Sequence, residues 1–236
     1  QVGVFGALSC REHVTLTDTR LYLPKIWADD KERCRKAGIP DEHAVYKKKT
    51  ELAAEIVSHA RSNNVRFNWV GADGFYGNDP EFLRTLNTAG EIFVADVHKN
   101  QHIYIDDPKP AVPEPKSEKG RKPSRPVAQS MSCRADKWAE SQPESGWQRM
   151  VIREGTKGGV EADILHDLVW LWDGEEEEAH CRHLIVRRDA GSPDKIKYSL
   201  SNAPGNTAPE RLAFMQGQRY WVERAIQDGK NECGLD

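Results

Sequence analysis

Near the C-terminal end of this 236-residue chain, Arg219, Glu223 and Lys230 fall at helical spacing. At about 100° per residue, Glu223 lies roughly 40° from Arg219 around a helix, and Lys230 roughly 20°. One carboxylate and two cations therefore share a stripe about three turns long. That pattern suits a metal-ligating acid flanked by groups that hold phosphate. It also fits a solvated face with an i,i+4 ion pair, worth roughly 0.2–0.5 kcal/mol. A second acid, Asp73, closes the run Val65-Arg66-Phe67-Asn68-Trp69-Val70-Gly71-Ala72. In α/β sheets, function gathers beyond the carboxyl ends of strands, which makes Asp73 a candidate. An Asp before a Gly is also an ordinary turn former.

The elements that must position these residues follow from periodicity. Residues 1–9 read as a buried strand and residues 13–23 as a second strand, ending at Pro24. Residues 28–39 read as a short exposed helix closed by Gly38 and Pro40. Thr50 is placed to cap a helix whose apolar stripe is Leu52, Ala53, Ile56, Val57 and Ala60. After the strand ending at Asp73, Gly74-Phe75-Tyr76-Gly77 reads as a turn. Asp79-Pro80 starts a helix over Glu81 to Thr88, and residues 91–97 form the next strand. Residues 1–100 are thus an α/β core with a parallel crossover. Residues 101–146 read as a Pro/Lys-rich linker. Its basic run, Lys119-Gly120-Arg121-Lys122-Pro123-Ser124-Arg125, is either solvated or a contact to a nucleic-acid backbone. Residues 147–203 hold four strand candidates, expected as a small antiparallel sheet inserted into the core. Glu175–Glu178 is expected at a solvated hairpin tip. Residues 204–236 return to helix from Pro209, with Gly229 as an expected break.

Composition limits the partners. The chain is 38% hydrophobic and 30% charged, with a net charge of -3 and a mean hydropathy of -0.73. A uniformly basic nucleic-acid coat is excluded, whereas local basic patches are not. The five cysteines form no CxxC pair, as in a reduced cytosolic protein. The His180-Cys181-Arg182-His183 run has poor spacing for structural zinc. No apolar run of about 18 residues implies a membrane span. The chain opens at Gln1 in what reads as a strand already under way and stops at Asp236 just past the key helix, so both ends are expected to be cut from something longer.

In order, the parts are Ala72-Asp73-Gly74-Phe75-Tyr76-Gly77, a β-rich insertion, then a helix with Arg, three residues, Glu, six residues, Lys. That order resembles the DDE transposases of bacterial insertion sequences, in the branch marked by a Tyr-Arg-Glu-Lys signature. The runs Thr19-Arg20-Leu21-Tyr22-Leu23-Pro24, Lys36-Ala37-Gly38-Ile39-Pro40 and Tyr220-Trp221-Val222-Glu223-Arg224-Ala225 are similar too. The resemblance implies an RNase H-like core with a β-rich insertion before the C-terminal catalytic helix. It makes Asp73 the second catalytic, metal-binding acid and Glu223 the third, with Arg219 and Lys230 as phosphate-binding cations. The signature tyrosine falls on Gln216, and Tyr220 is out of register. The first acid would precede Gln1; Asp18 and Asp96 match no motif position. The family reading further implies two Mg²⁺ or Mn²⁺ ions, about 3.5–4 Å apart and held by oxygen ligands. It implies hydrolysis at the transposon end, then strand transfer by the freed 3′ hydroxyl. The partners would be double-stranded DNA at transposon ends and target, engaged by a homodimer in the bacterial cytoplasm. With one acid missing, the chain itself is expected to be inactive. The alternatives are a decayed remnant that binds DNA or protein, and an unrelated α/β phosphatase or nuclease. The last would need a nucleophilic Asp motif near an N-terminal strand, and none is present.

Overall fold

The computed structural model describes residues 2–11, 13–115, 122–155 and 158–234. β1 (Val2–Cys10) and β2 (His13–Tyr22) form an antiparallel hairpin. Arg11, at φ 54°, turns the chain between them. The short helices α1 (Lys25–Ala28) and α2 (Lys31–Lys36) follow, the second capped by Asp30. α3 (Lys49–Ser62) starts earlier than its sequence suggests. Its cap is Lys48, whose N–H donates to the Glu51 carboxylate at 2.6 Å, so Thr50 is buried inside the first turn. β3 (Val70–Ala72), α4 (Gly74–Gly77), α5 (Pro80–Thr88) and β4 (Phe93–Val97) complete a parallel crossover. Asp79 caps α5 and Pro80 opens it, as expected.

Next come β5 (His102–Ile103), β6 (Cys133–Arg134) and α6 (Ala135–Ser141). The expected linker is therefore structured at both described ends. Ile103 and Ala135 are fully buried, and Trp138 packs into the same core. Residues 119–121 of the basic run lie outside the described residues, while Lys122 and Arg125 are exposed. The chain then runs through β7 (Gln148–Gly155), β8 (Gly158–Leu171), β9 (His180–Asp189) and β10 (Ser192–Ser201) to α7 (Pro209–Gly217) and α8 (Arg219–Cys233).

The four later strands do not form a separate small sheet. They extend the core sheet, in the order β3-β4-β10-β9-β8-β7. β10 pairs antiparallel with β4, from Tyr198 opposite Val97 to Ser201 opposite Val94. The reason is burial on both faces. Along β9, Leu184 and Val186 face a core with Trp138, Leu165 and Leu200, while Ile185 faces Met150, Ile152 and Leu212. A third cluster, with Phe82, Leu86 and Phe93, packs α5 on β3 and β4. The result is a mixed α/β fold.

Two further expectations change. β1 was expected to be buried, yet only Val4 on it is, because the hairpin is not hydrogen-bonded to the six-stranded sheet. The C-terminal helix breaks at Gln218 rather than Gly229, which lies inside α8. A Cβ on Gly217 would stand 2.2 Å from the Ile152 carbonyl oxygen, so the break is where the chain touches β7 most closely.

Candidate active site

Asp73 follows β3 directly and has an extended backbone. Its Oδ1 accepts the N–H groups of Phe75 at 2.8 Å and Tyr76 at 3.4 Å, so the expected turn is a capped helical turn. That turn is pressed on β4, since a Cβ at Gly77 would meet the Asp96 carbonyl oxygen at 2.0 Å. Oδ2 of Asp73 carries no hydrogen bond to any described residue, and the side chain is exposed. Burial pushes the neighbouring Tyr76 phenol above its ordinary pKa, and the Asp73 carboxylate adds to the shift.

Glu223 sits one turn into α8 and is ion-paired with Arg219, as the i,i+4 spacing allows. Arg219 is engaged twice. Its Nη1 also lies 3.4 Å from Oδ2 of Asp96 on β4. Asp96 in turn accepts from Ser199 Oγ at 2.6 Å, and Ser199 Oγ accepts from Gln216 Nε2 at 2.6 Å. Gln216, at the signature tyrosine's position, is thus an interior residue joining α7 to the sheet, only 4% exposed. Sequence reasoning passed over Asp96 because it matches no motif. The signal available was its position as the one acid in the apolar run Phe93-Val94-Ala95-Asp96-Val97.

Two clefts meet at this point. The larger, about 670 Å³, is lined by Asp73, Arg219 and Glu223 together with β1 and α3. The smaller, about 290 Å³, holds Asp96 with Arg153, Arg187 and Lys197, and shares Arg219 and Glu223. Arg219 and Glu223 form the ridge between them. The fold therefore lines one cleft with Asp73, Arg219 and Glu223. It leaves Lys230 exposed on α8, lining neither cleft. Asp18 is occupied elsewhere. Burial would raise its pKa, but bonds from His59, Arg20 and Thr19 lower it below the ordinary carboxylate value.

The donors suit a hard cation in type but not in number. Among the described residues, no group of three or more His, Cys, Asp or Glu side chains could hold a metal ion. Asp73 and Glu223 offer two carboxylates, short of the oxygen set that a pair of Mg²⁺ ions takes. The His180-Cys181-Arg182-His183 run enters β9 from its exposed end, so its side chains differ in burial. Cys181 is exposed, while His183 is fully buried and bonded to His166 and to the Pro204 carbonyl.

The family model for the DDE superfamily endonuclease matches residues 1–159. This chain belongs to that family. The match takes in Asp73 and Asp96 and stops before the helix bearing Glu223. No match to a curated protein was found. As a DDE superfamily endonuclease, the chain carries a nuclease-type domain whose substrate class is DNA. Enzymes of this superfamily typically use divalent metals. Among the described residues, no helix is long and apolar enough to cross a membrane.

Proposed function

We propose that this chain is the catalytic body of a DDE transposase, cutting and joining DNA at the ends of a bacterial insertion sequence. The observation that carries the reading is the single cleft shared by Asp73 and Glu223, from opposite ends of the sequence, in a chain of this family. Asp73 serves as one metal-binding acid through its free Oδ2, and Glu223 as another. Arg219 holds Glu223 in place and neutralises Asp96 beside it, so its first role is positioning, with phosphate contact following when DNA displaces one partner. Lys230 meets the DNA backbone as a point charge farther along α8. The expected cofactor is Mg²⁺ or Mn²⁺, two ions in the complete site. The functional unit is a homodimer on two duplex ends, in the bacterial cytoplasm. RNase H-like topology is part of the same proposal, and so is loss of activity in residues 1–236 alone, where two carboxylates stand in place of three.

A second reading is a non-catalytic remnant that binds DNA or protein. It is favoured by Gln216, which is buried and bonded where the signature has tyrosine. Two measurements separate the readings. Titration of the chain with Mn²⁺, followed by electron paramagnetic resonance, should show weak binding that Asp73→Asn and Glu223→Gln each reduce. Binding indifferent to both substitutions would leave the remnant. A supercoiled-plasmid assay with Mn²⁺ should show no nicking above background. Vigorous nicking that Glu223→Gln abolishes would overturn the claim of inactivity while keeping the site.

A further inference from the structure

We propose that Asp96 is a positioning residue for the candidate site. Pinned by Ser199 and Gln216, it is the seat onto which Arg219 withdraws when Glu223 takes up a divalent metal ion. For Glu223 this rests on the metal-binding role proposed above; for Asp96 it rests on the geometry of β4, β10 and the α7–α8 junction.

The pairing of β4 with β10 sets Asp96 directly opposite Ser199. Opposite residues of paired strands point to the same face of the sheet, so the two side chains meet there. A carboxylate has no proton to give. The Ser199 hydroxyl therefore donates to Asp96 Oδ1 and is left with lone pairs only. Gln216 must then present the N–H end of its amide, and it does so at 2.6 Å. Gln216 Oε1 is buried without a partner, so the bond to Ser199 is what orients the amide. Ser199 and Gln216 are both buried. Both donors of this short chain point toward Asp96. They fix Oδ1 and leave Oδ2 turned to Arg219.

Arg219 divides its guanidinium between two carboxylates. Nη2 is in close contact with Glu223, while Nη1 stands 3.4 Å from Asp96 Oδ2. A charge-assisted hydrogen bond is roughly 2.7–2.9 Å long, so the Asp96 side has contact still to gain. A metal ion on Glu223 would face the guanidinium at close range, and two cations on one carboxylate repel. Among the described residues, Asp96 is the one other carboxylate that Arg219 pairs with. It needs no rearrangement to receive the guanidinium, because Ser199 and Gln216 already hold it. The ion then holds Glu223 in place of Arg219. Exposure divides the roles the same way. The Glu223 side chain is 59% exposed and that of Asp96 only 18%, so attraction at Asp96 is less screened by solvent. Room for the movement exists, since Asp96, Gln216, Arg219 and Glu223 all line the 290 Å³ cleft.

The test is a double-mutant cycle on the 236-residue chain, with Mn²⁺ affinity read by electron paramagnetic resonance. Asp96→Asn should weaken Mn²⁺ binding by about tenfold or more, the usual loss for a residue that acts behind a metal ligand. In an Arg219→Gln background the same substitution should change affinity by less than about twofold, because no guanidinium is left to seat. Equal losses in both backgrounds overturn the proposal, since Asp96 then acts through its charge alone. No loss in the parent overturns it too. Ser199→Ala changes no charge and should weaken binding in the parent but not in the Arg219→Gln background; it carries the cycle if Asp96→Asn does not fold. A chain that binds no Mn²⁺ at all sinks the metal reading of Glu223, and the seat is then judged on the metal-free protein. There, ¹⁵N NMR of the Arg219 side chain, assigned by its loss in Arg219→Gln, should show rotation about Nε–Cζ that quickens in Asp96→Asn and in Ser199→Ala. Unchanged rotation in both overturns the proposal.

Discussion

Asp73 has two separable duties, because its two oxygens point to different tasks. Oδ1 caps α4 and Oδ2 is free. Asp73→Ala should therefore lose the cap, at a cost of about 1 kcal/mol in urea unfolding. Asp73→Asn keeps an oxygen for the cap and should unfold within about 0.5 kcal/mol of the parent. Both variants should lose Mn²⁺ affinity, since each removes the charge. If Asn unfolded as easily as Ala, the cap would not be the structural role. The candidates Asp73 and Glu223 were legible in the sequence because a strand end and a helical spacing are local patterns. Asp96 was not, since its importance comes from Arg219, which lies 123 positions away in sequence and 3.4 Å away in space.

At the scale of elements, two contacts are sharp enough to test. Gly217 lets the α7–α8 junction lie against β7, with no room for a Cβ beside the Ile152 carbonyl. Gly217→Ala should cost about 1–3 kcal/mol through forced backbone movement. An equally stable variant would mean that the junction shifts freely. The second contact joins β8 and β9. His183 donates from Nε2 to the Pro204 carbonyl, so its Nδ1 accepts from Nε2 of His166 at 2.8 Å. Burial, with the His183 ring beside it, lowers the His166 pKa below its ordinary 6.5. The unfolded chain then binds the proton more readily than the folded one. Stability should be full above about pH 6.5 and fall as pH drops below it, by at most about 1.4 kcal/mol per pH unit, levelling off below the folded pKa. Thermal unfolding from pH 7.5 to 5 should show this slope, and His166→Gln should flatten it. Helix breaks and histidine pairs of this kind escape a sequence reading. Gly229 was the expected break, but the position of the break was set by β7.

For the whole molecule, the decisive feature is one six-stranded sheet built from two distant stretches. β4 has β3 on one side and β10 on the other. The core around Trp138 and Ile103 is completed by Leu165, Val186, Tyr198 and Leu200. Residues 1–146 expressed alone should therefore show no cooperative thermal transition, because β4 loses a partner and Trp138 its cover. A sharp transition in that piece would show an independent N-terminal domain. DNA binding should depend steeply on salt in spite of the net charge of -3, since the arginines gather locally at the cleft.

The sequence by itself determined the α/β class, most of the strands and helices, and the helical stripe of Arg219 and Glu223. These depend on period, capping and turn residues within a few positions of one another. Only the tertiary structure decided that β10 joins β4, that Gln216 is interior, and that Lys230 stays outside the cleft. Each of those depends on which apolar faces bury each other and which backbone edges find partners. Such pairings join residues tens to more than a hundred positions apart, and no local pattern records them.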